Sequence, residues 1–247
     1  MVRRVSVILS RSLPRVLLLV VILGLLSFGS SIGLERTLGA SLDIPQPATP
    51  AAERILRRLE AIDQGLVATR YQHRTYIDER RGIYYFDCSG LVGWALEREA
   101  PLARLHTYAP RPTANDFVEA IRRAPAQGTR GGWQRIDRIE DAEAGDIFAW
   151  TIPSHFPESD LTGHTGFIVR KPRRLPGLDG VYSVRIADST TVPHQNDTRP
   201  RGSEGGFGRG TILIKGDETR RAVGYGWFGA SFPVTVEAPI GIGRVHR

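Results

Sequence analysis

The chain has 247 residues, a formal net charge of +7 and a single cysteine. One cysteine excludes an intrachain disulfide and a metal cluster held by several thiolates. Residues 1–40 carry +4 of that charge, and the remaining +3 is too small and too scattered for a nucleic-acid-binding surface, so we expect no nucleic-acid partner.

Residues 1–40 have the composition of a membrane-targeting segment. Four arginines precede an apolar run, and no charged residue occurs over 16–34. A stretch of this length is just able to cross a bilayer, and a basic start before an apolar run is also typical of a signal peptide. We therefore expect either an inner-membrane anchor over 16–34 or a cleaved signal. In both cases the arginines keep the start in the cytoplasm and send the rest to the periplasm or the extracellular face.

The next two segments predict a spacer and a helix. The expected linker is 41–51, because three prolines occur within residues 43–50. A helix is predicted over 51–70 from one apolar stripe, formed by Ile55, Leu59, Ile62 and Leu66. We expect the folded domain to span 52–236 and residues 237–247 to be a C-terminal tail.

The single cysteine lies at the predicted start of a second helix. Asp87 is a suitable N-cap residue, which places Cys88 at the first helical position of a helix ending near Glu99. Unpaired backbone N–H groups at that position favour a thiolate over a thiol. A buried, inert cysteine is the alternative, but such cysteines usually lie among large aliphatic side chains in the middle of a stripe. We interpret Cys88 as a candidate nucleophile.

The second half of the chain predicts a sheet. Short apolar runs occur at 147–150, 166–169, 181–186 and 211–214, with a further candidate strand at 225–228. A surface helix is predicted at 115–123, and the glycine-rich stretch 205–210 is interpreted as a flexible turn. Helices followed by strands indicate an α+β domain with a mainly antiparallel sheet.

A cysteine nucleophile needs a base, and His164 is the best candidate among the six histidines. It begins a predicted buried strand and has glycines at 163 and 166, whereas the other five histidines lie in loop-like or terminal contexts. Asp188 ends the next strand, where it would lie beside His164 and orient the ring. Taken alone, Asp188 is better interpreted as a turn residue.

The motifs FDCSGLV (86–92), AGDIF (144–148) and GHTGFI (163–168), in this order, resemble the NlpC-type family of papain-like cysteine peptidases. The similarity covers about residues 52–190. It implies a papain-like α+β fold, with N-terminal helices packed on a mainly antiparallel sheet. It also implies that Cys88 is the nucleophile, His164 the general base and Asp188 the orienting third residue. The implied reaction is hydrolysis of amide bonds in peptidoglycan stem peptides, without a cofactor.

The family often uses a tyrosine upstream of the cysteine to stabilise the oxyanion. Tyr71 and Tyr76 both qualify by position, and the sequence does not separate them. The backbone N–H of Cys88 would be the second donor. Asp87 and Ser89, which flank the cysteine, are further candidates for the oxyanion and substrate site.

The chain also departs from the family pattern. The third residue of the family is more often His, Asn or Gln than Asp, and His194 is an alternative to Asp188 in orienting the base. The segments 101–144 and 151–163 enlarge the separation between Cys88 and His164.

Three other interpretations remain open at this stage. The first is a thiol amidase or acyltransferase that uses the same site on another substrate. The second is a wall-binding protein that has the same fold but no catalytic activity. A metal site is the third, but its candidate ligands lack short spacings of the His-x₃-His kind, so we predict no metal. Those ligands are Cys88, His155, His164 and Asp188.

Overall fold

The structure is a computed structural model that describes residues 46–153 and 162–247. The predicted anchor or signal, residues 41–45 of the linker and His155 lie outside the described residues. Within the described residues, no helix combines the length and the hydropathy that crossing a membrane requires.

The described chain contains four α-helices, three short 3₁₀ helices and twelve strands. The α-helices are α1 (Pro50–Gly65), α2 (Cys88–Glu99), α3 (Pro101–Leu105) and α4 (Ala114–Arg123). The first strands are β1 (Ala68–Arg70), β2 (Tyr76–Asp78), β3 (Ile83–Tyr85), β4 (Trp133–Ile136), β5 (Ile147–Thr151) and β6 (Gly163–Ile168). The later strands are β7 (Arg173–Arg174), β8 (Val181–Thr190), β9 (Gly206–Gly216), β10 (Ala222–Gly226), β11 (Val236–Glu237) and β12 (Ile240–Val245).

The expectation of an α+β domain with a mainly antiparallel sheet is confirmed. The main sheet has the strand order β11-β10-β9-β8-β6-β5-β12-β4, with β7 paired to β8, and all of its pairs are antiparallel. A smaller sheet has the order β1-β3-β2 and contains one parallel pair, β1 with β3.

Two apolar layers cover the two faces of the main sheet. Because side chains alternate along a strand, Ile147 and Ala149 of β5 join the layer that also contains the helices, whereas Phe148 and Trp150 join the other layer. The helix side includes the stripe of α1 and the core residues of α2 and α4, among them Ile55, Leu59, Leu91, Leu96 and Phe117.

The first helix is shorter than predicted. It ends at Gly65, and Leu66 is already extended, because the following chain pairs with β3 as strand β1. The end of the expected linker belongs to the domain, since the Thr49 hydroxyl caps α1 and also donates to the carbonyl oxygen of Val245 at 2.7 Å.

The predicted C-terminal tail, 237–247, is wrong, because Ile240–Val245 forms strand β12 between β5 and β4. Arg244 on this strand holds the buried carboxylate of Asp146 through nitrogen–oxygen contacts of 2.9 and 2.8 Å. The predicted turn at 205–210 is also wrong, because strand β9 begins at Gly206.

Candidate active site

The start of α2 lies where strands β6 and β8 separate. The two strands pair through residues 167–168 and 186–187 only. Beyond that point the backbone N–H of Thr165 donates to the sulfur of Cys88. The thiol is thereby fixed next to the strand that carries His164.

Hydrogen bonds hold the turn into α2 on both sides. The Ser189 hydroxyl of β8 donates to the carbonyl oxygen of Phe86 at 2.7 Å. Asp87 is the N-cap, as predicted, because its Oδ1 accepts from the backbone N–H of Gly90 at 2.6 Å. The same oxygen accepts from the Ser89 hydroxyl at 2.9 Å. Asp87 and Ser89 therefore shape the turn that presents Cys88.

The thiol of Cys88 is 6 % exposed and borders a pocket of about 310 Å³. Burial, followed by the negative charge of Asp87, raises the pKa of Cys88 to about 12. The N–H groups of Thr165 and Ser89 oppose that shift without overcoming it. The expectation that the helix start keeps this sulfur ionised is therefore wrong, and the resting group is a neutral thiol.

The raised pKa predicts how the free thiol reacts. We expect the rate of alkylation of Cys88 by iodoacetamide to rise about tenfold per pH unit through neutral and alkaline pH, because only the thiolate reacts. Mass spectrometry of the intact full chain gives the rate, and a Cys88→Ala chain provides the blank. A rate that is already constant around neutral pH would contradict the assignment of a neutral thiol.

His164 and Asp188 are in direct contact, as predicted. Nε2 of His164 lies 2.7 Å from Oδ2 of Asp188, and both side chains are buried. The ring of His164 packs against Trp150 and Trp227, with centroid separations of 5.2 and 5.0 Å. Burial lowers the pKa of His164 although Asp188 opposes this, so the ring is neutral at rest. Because a carboxylate only accepts, Nε2 carries the proton and Nδ1 keeps its lone pair.

Asp188 is the centre of a larger buried group than the sequence indicates. Its Oδ2 also contacts Nε2 of His194 at 2.8 Å, and its Oδ1 forms an ion pair with Arg199. Burial by itself would raise the pKa of Asp188, but His194, His164 and Arg199 outweigh it and hold this pKa well below its usual range. Asp188 thus contacts the base directly, and His194 contacts Asp188. Arg199 was missed because nothing in the sequence distinguishes it from the other arginines.

The structure separates the two candidate tyrosines. Tyr71 lines the pocket together with Cys88, and burial, followed by the charges of Cys88 and Asp87, raises its pKa. Tyr76 is 49 % exposed and its ring packs on Tyr85 at 6.0 Å. Only Tyr71 is therefore placed to act at the site.

Apart from His73, the remaining pocket residues come from the segments 101–144 and 151–163, which enlarge the separation between Cys88 and His164. Arg111 lies at the pocket and its Nη2 contacts Oδ2 of Asp87 at 3.0 Å, and Nδ1 of His73 contacts the same oxygen at 3.0 Å. The other lining residues are Pro112, Thr113, Ala114, Thr162 and Gly163.

One buried group offers three potential metal-ligand atoms, within 4.8 Å of one another, from His164, Asp188 and His194. The same nitrogen and oxygen atoms are hydrogen-bonded to one another, and the guanidinium of Arg199 already pairs with Asp188. A metal ion would have to displace these contacts and sit beside a buried cation. We therefore treat the group as a hydrogen-bonded ion cluster and do not assign it as a metal site.

The chain was also compared with known proteins. No protein-family model, curated protein or solved structure matches it. The side chains around Cys88 are therefore the basis for assigning a function.

Proposed function

We propose that this protein is an exported cysteine hydrolase that cleaves amide bonds in peptidoglycan stem peptides. The observation that carries the proposal is the hydrogen bond of 2.7 Å between His164 and Asp188, next to the strand position that binds the Cys88 sulfur. Along the chain, the proposed nucleophile, base and orienting residue occur in the same order as in the NlpC-type family that the sequence resembles. The papain-like fold, the membrane anchor or signal at 16–34 and the periplasmic or extracellular location are parts of the same proposal.

The proposed reaction starts from a neutral pair and uses His164 as a general base. Nδ1 of His164 takes the thiol proton as the sulfur of Cys88 bonds to the substrate carbonyl carbon. The carbon–nitrogen bond then breaks, the amine leaves with the proton from His164, and a thioester remains. Water gives its proton to His164 while its oxygen attacks the thioester, which releases the acid and restores the thiol. Asp188 keeps the proton on Nε2 and stabilises the imidazolium that forms transiently.

A buried thiol with a raised pKa fits this order of events. Ionisation of Cys88 before substrate binding would place a charge beside Asp87 in a buried site, which is costly. Proton transfer during attack avoids that charge, because the negative charge moves to the substrate oxygen. The backbone N–H of Cys88 and the hydroxyl of Tyr71 are the proposed donors to that oxygen.

We expect Tyr71→Phe to lower kcat about 10²–10³-fold, the usual effect of losing one oxyanion donor. Tyr76→Phe is the matched control, because it removes the same hydroxyl from an exposed ring outside the pocket, and we expect it to leave kcat unchanged. Release of peptide from purified sacculi gives both rates. Equal rates for the two variants would remove Tyr71 from the mechanism.

The function is tested by incubating the full chain with intact sacculi and identifying the products by mass spectrometry. We expect fragments cut within the stem peptide, and none from protein whose Cys88 has been alkylated beforehand. Full digestion by the alkylated protein would end the proposal. Sacculus binding with a thiol that cannot be alkylated under any condition would instead favour an inert wall-binding protein.

A second candidate function is a thiol amidase or acyltransferase that acts on another substrate. It is favoured by one observation: four consecutive pocket residues, from Arg111 to Ala114, come from the segment 101–144 that enlarges the chain. Intact stem peptides together with an alkylatable Cys88 would support this alternative.

A further inference from the structure

His194 is buried between two hydrogen-bond acceptors. Its Nε2 lies 2.8 Å from Oδ2 of Asp188, and its Nδ1 lies 3.1 Å from the carbonyl oxygen of Trp227. A peptide carbonyl oxygen accepts hydrogen bonds and never donates them, and an ionised carboxylate does the same. Both ring nitrogens therefore have to donate, which requires a proton on each of them. A neutral ring would turn a lone pair towards an acceptor at one of the two contacts.

The surrounding charges agree with a positively charged ring. Arg199 pairs with Asp188 on one side and with Asp197 at 2.6 Å on the other, and Asp197 also accepts from the backbone N–H of His194 at 2.8 Å. The four side chains are between 0 and 5 % exposed. With His194 protonated, two anions meet two cations and the cluster is neutral. With His194 neutral, one net negative charge would be buried, which is costly.

Glycines on strand β9 make room for this cluster. A Cβ atom at Gly210 would lie 2.5 Å from the Cβ of His194, and one at Gly208 would lie 2.6 Å from the Cγ of Arg199. Both distances are shorter than any normal contact between side chains. The glycine-rich start of β9 thus lets the loop that carries His194 and Arg199 lie flat against the sheet and reach Asp188.

We propose that His194 is a doubly protonated positioning residue, which fixes the Asp188 carboxylate and, with Arg199, keeps His164 neutral. The catalytic role of His194 rests on the proposed function, but the assignment of a positive charge to His194 does not. The charged or titratable groups that face His194 are Asp188, Asp197, Arg199 and the ring of His164, whose centroid is 6.3 Å away. Burial is the largest cause that lowers the pKa of His164, and the positive charges of His194 and Arg199 lower it further. The base is thus prevented from taking a proton before the thiol supplies one.

The protonation of His194 is measured directly by nitrogen NMR of the full chain labelled with ¹⁵N-histidine. Near neutral pH we expect both ring nitrogens of His194 to carry a proton and Nδ1 of His164 to carry none. A His194 ring with one unprotonated nitrogen would overturn the proposal. The measurement is made on the wild-type protein, so it depends neither on the folding of a variant nor on enzymatic turnover. Protein that digests no cell wall but has a doubly protonated His194 would overturn the proposed function while supporting this inference.

His194→Gln tests the electrostatic effect on the base. Glutamine retains a donor to Asp188 but removes the charge, so we expect the titration of His164 to move about one to two units to higher pH. His106→Gln, a matched change at the end of α3, should leave that titration in place. An unmoved titration of His164 in folded His194→Gln protein would show that His194 is only structural, and would overturn the positioning role.

Discussion

Replacement of Cys88 by alanine is expected to lower the release of stem-peptide fragments by about 10⁴-fold or more, because no other group can form the thioester. No second cysteine exists to take its place. Any residual rate would come from binding and from the oxyanion donors, which remain. The measurement is kcat on purified sacculi, with products identified by mass.

The same substitution should leave the fold intact. The Cys88 sulfur is buried at a helix start and borders the pocket, so its removal leaves a cavity open to that pocket, and we expect the loss of stability to be about 1 kcal/mol or less. Cys88→Ser is the matched control, because it keeps an acceptor for the Thr165 N–H at nearly the same place but supplies a much poorer nucleophile. A Cys88→Ala chain that is folded and still cleaves at the wild-type rate would refute the enzyme assignment.

The local features of the site could be predicted from the sequence because short-range signals fix them. An aspartate before a helix start is an N-cap whatever the rest of the fold does, so Asp87 and Cys88 were placed correctly. A histidine at the start of an apolar run and an aspartate at the end of the next run were also sufficient to pair His164 with Asp188. The pairing of His164 with Asp188 was inferred from where two successive apolar runs begin and end.

Other features depend on tertiary contacts that no local pattern records. The raised pKa of Cys88 follows from the burial of its sulfur and from the charge of Asp87, whereas a helix start alone predicts a lowered pKa. Arg199 reaches Asp188 only because Gly208 allows its loop to approach β9. Strand β12 was missed because its alternation of isoleucine and glycine is short and weakly apolar. Its register between two other strands is what buries it.

The second large effect is expected for Asp188→Asn. Asparagine has the same shape, but it leaves the buried cations of Arg199 and His194 with one fewer anion, and removing one partner of a buried ion pair typically costs about 3–5 kcal/mol. The amide would also present its NH₂ group to a neighbour that needs an acceptor. We therefore expect kcat to fall by about 10⁴-fold in whatever fraction remains folded, since the tautomer of His164 is no longer enforced.

The pH dependence of the stability that Asp188→Asn loses tests the cause of that loss. The folded pKa of Asp188 is held well below the unfolded value of about 3.9, so its stabilising contribution is complete above that value and is lost as pH falls towards the folded pKa. The gap in unfolding free energy between wild type and Asp188→Asn should therefore shrink by about 1.4 kcal/mol for each pH unit below about 3.9. Urea unfolding of both full chains at neutral and acidic pH measures this gap.

Asp179→Asn, in an exposed turn, is the control and should give no such gap. A gap that does not change with pH would mean that asparagine destabilises the site through its shape or hydrogen bonding, and that the charge of Asp188 does not hold the cluster together.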